Sequence, residues 1–468
     1  ADVYPLAPLQ EGLLFHHILA EGGEDAYVLR AALEFDTKAR LDAFVEALQL
    51  VVDRHDIFRT SFVWEGLREP VQVVWRSAVL PVNEVTLDPA TTNPVADLQA
   101  IVGSTMDLGR APLISVDYAR LPDGGWMALA RMHHTVRDHT ALEVVLSEVR
   151  TIVTGRTAEL PAPLPFRNFV AQARGGVPRV EHERYFTGLL GDVTEPTAAY
   201  GLLNVRGDGA DTVHEVTEFG SELSARLRES ARRIGTSPAT LLHVAWARVL
   251  GVVSGRDDVV FGTVLYGRMN AGVGADRVPG PFMNTLPVRF LAGRDGVLDS
   301  VAAMRDQLAE LLEHEHAPLV VAQRASGLVG DSPLFTSFIN YRRNEGQSPE
   351  ERSGAVMEGT RLLLSRERTN YPLVILVDDN DDGIEVAVDA VAPIDSAAVG
   401  ALVRTAAESL VAALETALDG GPQALLSAVR VLEDDERTRL LTEWNDTAAE
   451  VPADTVAALF GAQVARTP

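Results

Sequence analysis

"MHHTVRDHTALE", residues 132–143, is the stretch on which the reading of this chain turns. Upstream, "PDGG" (122–125) is a turn signal and "WMALARMHH" (126–134) has the apolar run of a strand. Downstream, "TALE" (140–143) has the form of a capping box, with Thr140 at the N-cap and Glu143 three residues later. Leu142, Val145, Leu146, Val149 and Ile152 then recur at helical spacing as an apolar stripe. The expectation is strand, short turn, helix, with two histidines at the strand end. Side chains alternate along a strand, so His133 and His134 should face opposite sides. Such neighbours cannot both ligate one metal without an irregular backbone. A zinc site of His134, Asp138 and His139 lacks an HExxH helix to frame it, and no metal is expected. The bland alternative is a pair of satisfied histidines at a helix entrance.

Position lifts the pair above that alternative. A histidine at the end of a buried strand, just before a helix, stands where layered α/β proteins commonly build their sites. Imidazole titrates near neutrality and can take a proton from an attacking nucleophile. Cysteine is absent, so there is no thiol nucleophile, disulfide framework or Cys-based metal site. No GxSxG elbow supplies a serine. What remains is a His-dependent transfer between two bound substrates, with no covalent enzyme intermediate.

Working outward, helical and strand patterns alternate through all 468 residues, without repeats or low-complexity tracts. Residues 39–53 place Leu41, Phe44, Val45, Leu48, Val51 and Val52 on one helical face. "PVQVVWRSAVLPV" (70–82) and "DVVFGTVLYG" (258–267) read as strands. "SPATLLHVAWARVLGVV" opens a helix with Ser237 as N-cap and Pro238 at the first helical position. "YPLVILVDDNDDGIEVAVDAV" (371–391) reads as a hairpin. The length suits two to four lobes, and a boundary is expected near residue 176 after the Pro-rich stretch 151–169. The expected class is mixed α/β in two lobes of similar size.

With 41 Lys+Arg against 66 Asp+Glu, the formal net charge is −25, which repels phosphate backbones and argues against nucleic acid. The start lacks the basic and apolar regions of a secretory signal, and runs such as "YPLVILV" fall far short of a membrane span. The expected setting is cytoplasmic, with no membrane partner.

"HHTVRDH" resembles the HHxxxDG signature of condensation domains of nonribosomal peptide synthetases. The motif alone is shared with epimerization domains and plant-type CoA acyltransferases. Further matches follow in the family's order: "YPLAPLQEGLLFH" (4–16), "DRHDIFRTSF" (53–62), "PFRNFVAQ" (165–172), "SGRDDVVFGTVLYGR" (254–268), "GPFMNTLPVR" (280–289) and "TNYPLVILV" (369–377). "LLTEWNDTAAEVP" is similar to the linker before an adenylation domain, and "LFGAQVARTP" to that domain's first residues. "LAPLQEGLLFH" and "LLGDVTEPTAAYGL" (189–202) resemble the type that accepts a D-configured donor residue.

The resemblance implies two chloramphenicol-acetyltransferase-like lobes in a V-shaped pseudo-dimer with a central tunnel. Residues 1–175 and 176–428 would form the lobes, 429–455 the linker and 456–468 the start of an adenylation domain. Upstream and downstream peptidyl carrier proteins would dock at opposite tunnel ends and present the donor and acceptor thioesters. His134 matches the essential histidine. His133, Asp138 and Arg59 would support the motif, with Asp138 and Arg59 paired as a salt bridge. Arg137, His139, Asn284 and Tyr371 would lie along the tunnel. No intrinsic cofactor is implied, because phosphopantetheine arrives on the carriers. The unit would be a monomer within a multidomain chain. Carrier docking on so acidic a protein calls for local Arg patches, such as Arg342 and Arg343.

Two departures from the family pattern stand out. The final Gly of the signature is His139 here, so the turn must use ordinary φ/ψ. Arg137, just before Asp138, is either a surface or salt-bridged arginine or a cation reaching the acceptor side of His134. Two other functions share the motif. An epimerization domain needs a Glu base from the second lobe and normally ends a module. A catalytically inactive platform that recruits another protein degrades the HH–D residues, which stand intact here.

Overall fold

The computed structural model describes residues 2–19, 25–122, 124–205, 207, 209, 211–268, 272, 274–291, 295–330, 332–344, 358–366, 368–448 and 454–467. Asp123 of the "PDGG" turn and residues 449–453 of the expected linker lie outside them. The strands are β1 (Asp2–Pro5), β2 (Val28–Phe35), β3 (Thr60–Val63), β4 (Val71–Val74), β5 (Val82–Glu84), β6 (Ile114–Arg120) and β7 (Trp126–His133) in the first half. β8 (Thr212–Glu218), β9 (Asp258–Leu265), β10 (Asn284–Leu291), β11 (Ser337–Asn344), β12 (Thr360–Arg366), β13 (Leu373–Asn380) and β14 (Gly383–Val391) follow. The first helices are α1 (Pro8–Leu19), α2 (Lys38–Arg54), α3 (Pro94–Val102) and α4 (His139–Val153).

Among the described residues three open sheets carry the fold: β1-β4-β3, β12-β2-β7-β6-β5 and β10-β9-β11-β13-β14-β8. The two large sheets are mixed, since β5–β6, β9–β11 and β11–β13 pair in parallel. α2 lays Leu41, Phe44, Leu48, Val51 and Val52 into the first core, as its periodicity predicts. Burying each such side chain contributes about 1.5–3 kcal/mol, and that burial, rather than helix propensity, fixes α2 on the sheet. Helix Pro238–Ser254 begins as expected, the Ser237 side chain accepting from Thr240 N. The expected hairpin forms as β13 and β14, paired from Leu373↔Ala390 to Asn380↔Gly383.

The structure corrects several sequence expectations. α4 is capped two residues early: Asp138, not Thr140, is the N-cap, and its carboxylate accepts from Ala141 N at 2.7 Å. Glu143 therefore does not close a capping box but lies 3.5 Å from His139 on the same helix face. The strand expected over 70–82 is broken into β4 and the first residue of β5, because the chain leaves the pairing at Trp75, whose indole donates to Ser61. Helix Ser396–Leu418 is long and apolar enough to cross a membrane, contrary to the reading of short runs. Half of it is buried within the protein, Val399, Val403, Leu410 and Leu414 included, so it serves as a core helix.

The chain does not divide cleanly at residue 176. β12, from the second half, pairs with β2 and extends the first lobe's sheet, with Arg361 opposite and ion-paired to Glu34. Ala275, Val278 and Phe282 pack into the first core, where the Phe282 ring lies 4.0 Å from Phe169 and 5.5 Å from Phe166. Periodicity records which face an element buries, not which sheet or core receives it. At the other end, helix Val456–Arg466 buries no residue and exposes Val456, Phe460 and Val464.

Candidate active site

β7, the central strand of the five-stranded sheet, ends at His133 and delivers the two histidines to the end of that sheet. Val28 of β2 stands opposite His133, and the next amide, His134 N–H, donates to the Tyr27 carbonyl at 2.9 Å. The chain then makes one 3-10 turn over His134–Val136 before the extended residues Arg137 and Asp138 enter α4. The two rings take separate surroundings, as strand alternation predicts. His133 is fully buried. The His134 ring stands nearly perpendicular to Tyr27, 6.4 Å between centroids, and Tyr27 in turn lies 5.8 Å from His16.

The His133 tautomer follows from its neighbours. Its Nδ1 accepts from Thr135 N–H at 3.1 Å, so the ring proton sits on Nε2 and donates to Asp25 at 3.1 Å. Burial lowers the His133 pKa against the pull of Asp25, and the ring is neutral at pH 7. Asp25 also accepts from His17 Nδ1 at 2.6 Å and from Tyr27 N at 2.9 Å. Burial alone would raise the Asp25 pKa, but hydrogen bonds from His133 and His17 overcome it and hold the carboxyl well below the usual range. His17, Asp25 and His133 offer donor atoms close enough for a metal ion. In the tautomer that donates from Nε2 to Asp25, His133 has no lone pair on that nitrogen for a metal, and the three groups form a hydrogen-bonded cluster.

Asp138 is the second anchor. Its carboxylate caps α4, accepts from Phe282 N at 3.1 Å and pairs with Arg268 through both oxygens at 2.9 Å. Arg268 also donates to the carbonyls of Ala275, Val278 and Gly280 and sits 4.0 Å above the Phe282 ring. The expected Asp138–Arg59 bridge is therefore wrong. Arg59 leaves its own 3-10 turn to cap the end of β4, donating to the carbonyls of Trp75 and Arg76. Arg268, at the end of "SGRDDVVFGTVLYGR", takes the role because the loop after β9 folds onto the first core.

Tyr27 also links the motif to the second half: its hydroxyl donates to Asn370 at 2.6 Å, inside "TNYPLVILV". The remaining expected tunnel residues divide. Arg137 is buried at 4% exposure, which removes the surface reading. His139 has 37% of its side chain exposed and begins α4 in ordinary helical geometry, so the missing glycine is not needed. Asn284 is committed to structure, donating to the carbonyls of Glu315 and Ala317 and accepting from Thr285 N. Tyr371 stacks on Phe335 and meets Phe338 edge-on, and burial pushes its hydroxyl up to about 12. Arg342 and Arg343 do not form a free basic patch, since Asp378 neutralises the first and Asp379 the second.

Sequence reasoning missed Gln10, His17, Asp25, Tyr27, Arg268 and Asn370. Gln10 is fully buried, and its amide donates to the Thr135 carbonyl at 2.8 Å. Gln10, Arg268 and Asn370 lay inside quoted motifs, where a polar residue among apolar neighbours was the available signal. Asp25 stood in an acidic loop with no such mark.

The open mixed sheets and the strand-turn-helix histidine define a chloramphenicol-acetyltransferase-like α/β protein. Residues 1–441 match the model of the condensation domain, and the chain belongs to that family. It is 42% identical to malpinin synthetase of Mortierella alpina over 100% of its own length and 6% of the relative's. Against malpibaldin synthetase of the same organism the identity is also 42%, over 97% of this chain and 8% of that protein. The chain thus spans under a tenth of these two relatives. A crystal structure of a four-domain nonribosomal peptide synthetase bound to AMP and glycine superposes with a TM-score of 0.75. That match is 14% identical and covers 99% of this chain and 36% of the other, so it shows the fold.

Proposed function

We propose that this domain joins the acyl group of an upstream carrier thioester to the amine of a downstream aminoacyl thioester. The acceptor nitrogen attacks the donor carbonyl, a C–N bond forms, the C–S bond breaks, and the departing thiolate regains a proton. Support comes chiefly from the state of the motif: His134 is held by Tyr27 at the strand end while Arg268 and the helix entrance fix Asp138. An α-amine has a pKa of about 8, so part of it is already nucleophilic near neutrality. General-base help contributes roughly 10²–10⁴-fold, about 3–5 kcal/mol, whereas orienting two reactants can contribute about 7–11 kcal/mol. Orientation is the larger effect, and His134 contributes by guiding the amine and receiving its proton.

The opening motif and residues 189–202 support a D-configured donor residue. In the same reading phosphopantetheine would arrive on the carrier proteins, residues 456–468 would belong to an adenylation domain, and the reaction would take place in the cytoplasm. The test is mass spectrometry of the product from a loaded donor–acceptor carrier pair, with D- and L-configured donors compared. A new amide appearing faster with the D donor supports the reading. Carriers recovered with no amide refute condensation.

A further inference from the structure

Three consecutive residues of the motif are tied to residues between Gln10 and Tyr27. The His133 ring donates to Asp25, the His134 amide donates to the Tyr27 carbonyl, and the Thr135 carbonyl accepts from Gln10. Asp25 reaches the first two of these ties. Its Oδ2 takes the proton of His133 and meets His17, and its Oδ1 takes the Tyr27 N–H that orients the next carbonyl. α1 supplies the third tie and the remaining bond to Asp25, because Gln10 and His17 both lie on it. The His17 ring also stands perpendicular to His133 at 6.0 Å. The backbone leaving β7 is thus fastened at the strand partner, at the buried ring and at the turn.

We infer that His17 and Asp25 are positioning residues for His134: the Asp25 carboxylate, oriented by His17, ties β7 to the entry of β2 and so sets where the His134 imidazole points. This inference rests on the condensation reading for its kinetic consequence but not for its geometry. Neither residue touches the expected reacting atoms. The ionised state of Asp25 fits the role, because an anion accepts from His17, His133 and Tyr27 at once, whereas a protonated carboxyl would turn a donor toward one of them. A displacement of about 1 Å at a reacting group can cost roughly 10²-fold in rate.

The test uses the full chain with loaded carriers and measures kcat and KM separately for Asp25→Asn, His17→Leu and His17→Asn. Asparagine places its side-chain N–H near the position of the imidazole Nδ1, so it retains the donor to Asp25 that leucine removes. The expected result is a kcat loss of about 10²-fold for Asp25→Asn. His17→Leu should move the same way, with most activity restored in His17→Asn and carrier KM values near those of the wild type. Histidine-selective 15N spectra provide the second measurement: His133 should read as the Nε2–H tautomer, and the His134 ring signals should shift in Asp25→Asn and His17→Leu. Wild-type kcat in Asp25→Asn and His17→Leu, or equal loss in both His17 variants, overturns the inference. If the wild type itself makes no amide, the condensation reading fails and the spectra decide alone. Shifted His134 signals then support the clamp, and unmoved ones overturn it.

Discussion

Arg268 stands across from Asp138 with one guanidinium nitrogen 2.9 Å from each carboxylate oxygen, joining the loop after β9 to the N-cap of α4. Asp138 is 1% exposed and Arg268 11% exposed, so each charge depends on the other for solvation lost on folding. Removing one member of a buried pair costs about 3–5 kcal/mol, and loss of an Asp N-cap about 1 kcal/mol more. Arg268→Ala and Asp138→Ala should both lower the melting temperature sharply and reduce condensation. Arg59→Ala should do less, because it loses bonds to two carbonyls and not a buried ion pair. A larger thermal loss for Arg59→Ala than for Arg268→Ala would restore Arg59 as the principal support.

His134→Ala should separate chemistry from folding. The ring packs edge-on against Tyr27, while the backbone bond to the Tyr27 carbonyl survives the substitution. Melting should therefore change little. Amide formation should fall by about 10²-fold or more, the scale of a lost proton acceptor. Near-normal product in a single-turnover assay would remove His134 from the mechanism.

Acid should weaken the fold before it reaches the carboxylate range. Burial pushes His182 and His243 down to about 4, the first helped by its neighbour His314. His243 donates from Nδ1 to the Ala239 carbonyl at 2.7 Å, and its Nε2 accepts from Thr263 at 2.8 Å. Both folded-state pKa values lie below the unfolded value near 6.5, so the unfolded chain binds more protons between about pH 6.5 and 4. Stability should fall as pH drops through that window and stay level above it. Urea midpoints from pH 7.5 to 4.5 measure this, and His243→Leu, though less stable at pH 7.5, should show a shallower slope. An unchanged slope in that variant would mean that His243 does not contribute.

These predictions show where the sequence was readable. Residues such as Leu41, Phe44 and Val51 announced α2, because a buried face leaves a period that needs no knowledge of its partner. The His133–His134 pair and Asp138 were legible for the same local reason: strand end, turn and helix entrance adjoin in sequence. Arg268 was not, because its contact with Asp138 spans 130 positions and depends on where the loop after β9 falls. Asp25 was equally hidden, since its meaning comes from His17 and His133, which the fold brings to one oxygen. β12 lies in the second half of the chain yet pairs with β2 in the first lobe's sheet, a choice that local patterning does not encode.

Arg137 carries the last prediction. It leaves the 3-10 turn in extended geometry between His134 and Asp138, and its side chain is buried. A fixed cation beside the attacking amine disfavours the ammonium form, lowering the amine's pKa and raising its nucleophilic fraction near neutrality. The same charge would exclude cationic acceptor side chains, and the same bulk would exclude large ones. Two substitutions separate these effects. Arg137→Met keeps most of the stem and removes the charge, so it should admit basic acceptors while still rejecting bulky ones. Arg137→Gly removes both and should broaden acceptance to bulky and basic residues. Glycine also loosens the backbone by about 0.5–1 kcal/mol and strips buried contacts, so Arg137→Gly should melt lower than the wild type. The measurement is a competition among acceptor carriers loaded with small, bulky, acidic and basic amino acids. Profiles identical to the wild type in both variants would show that Arg137 serves packing and pairing alone.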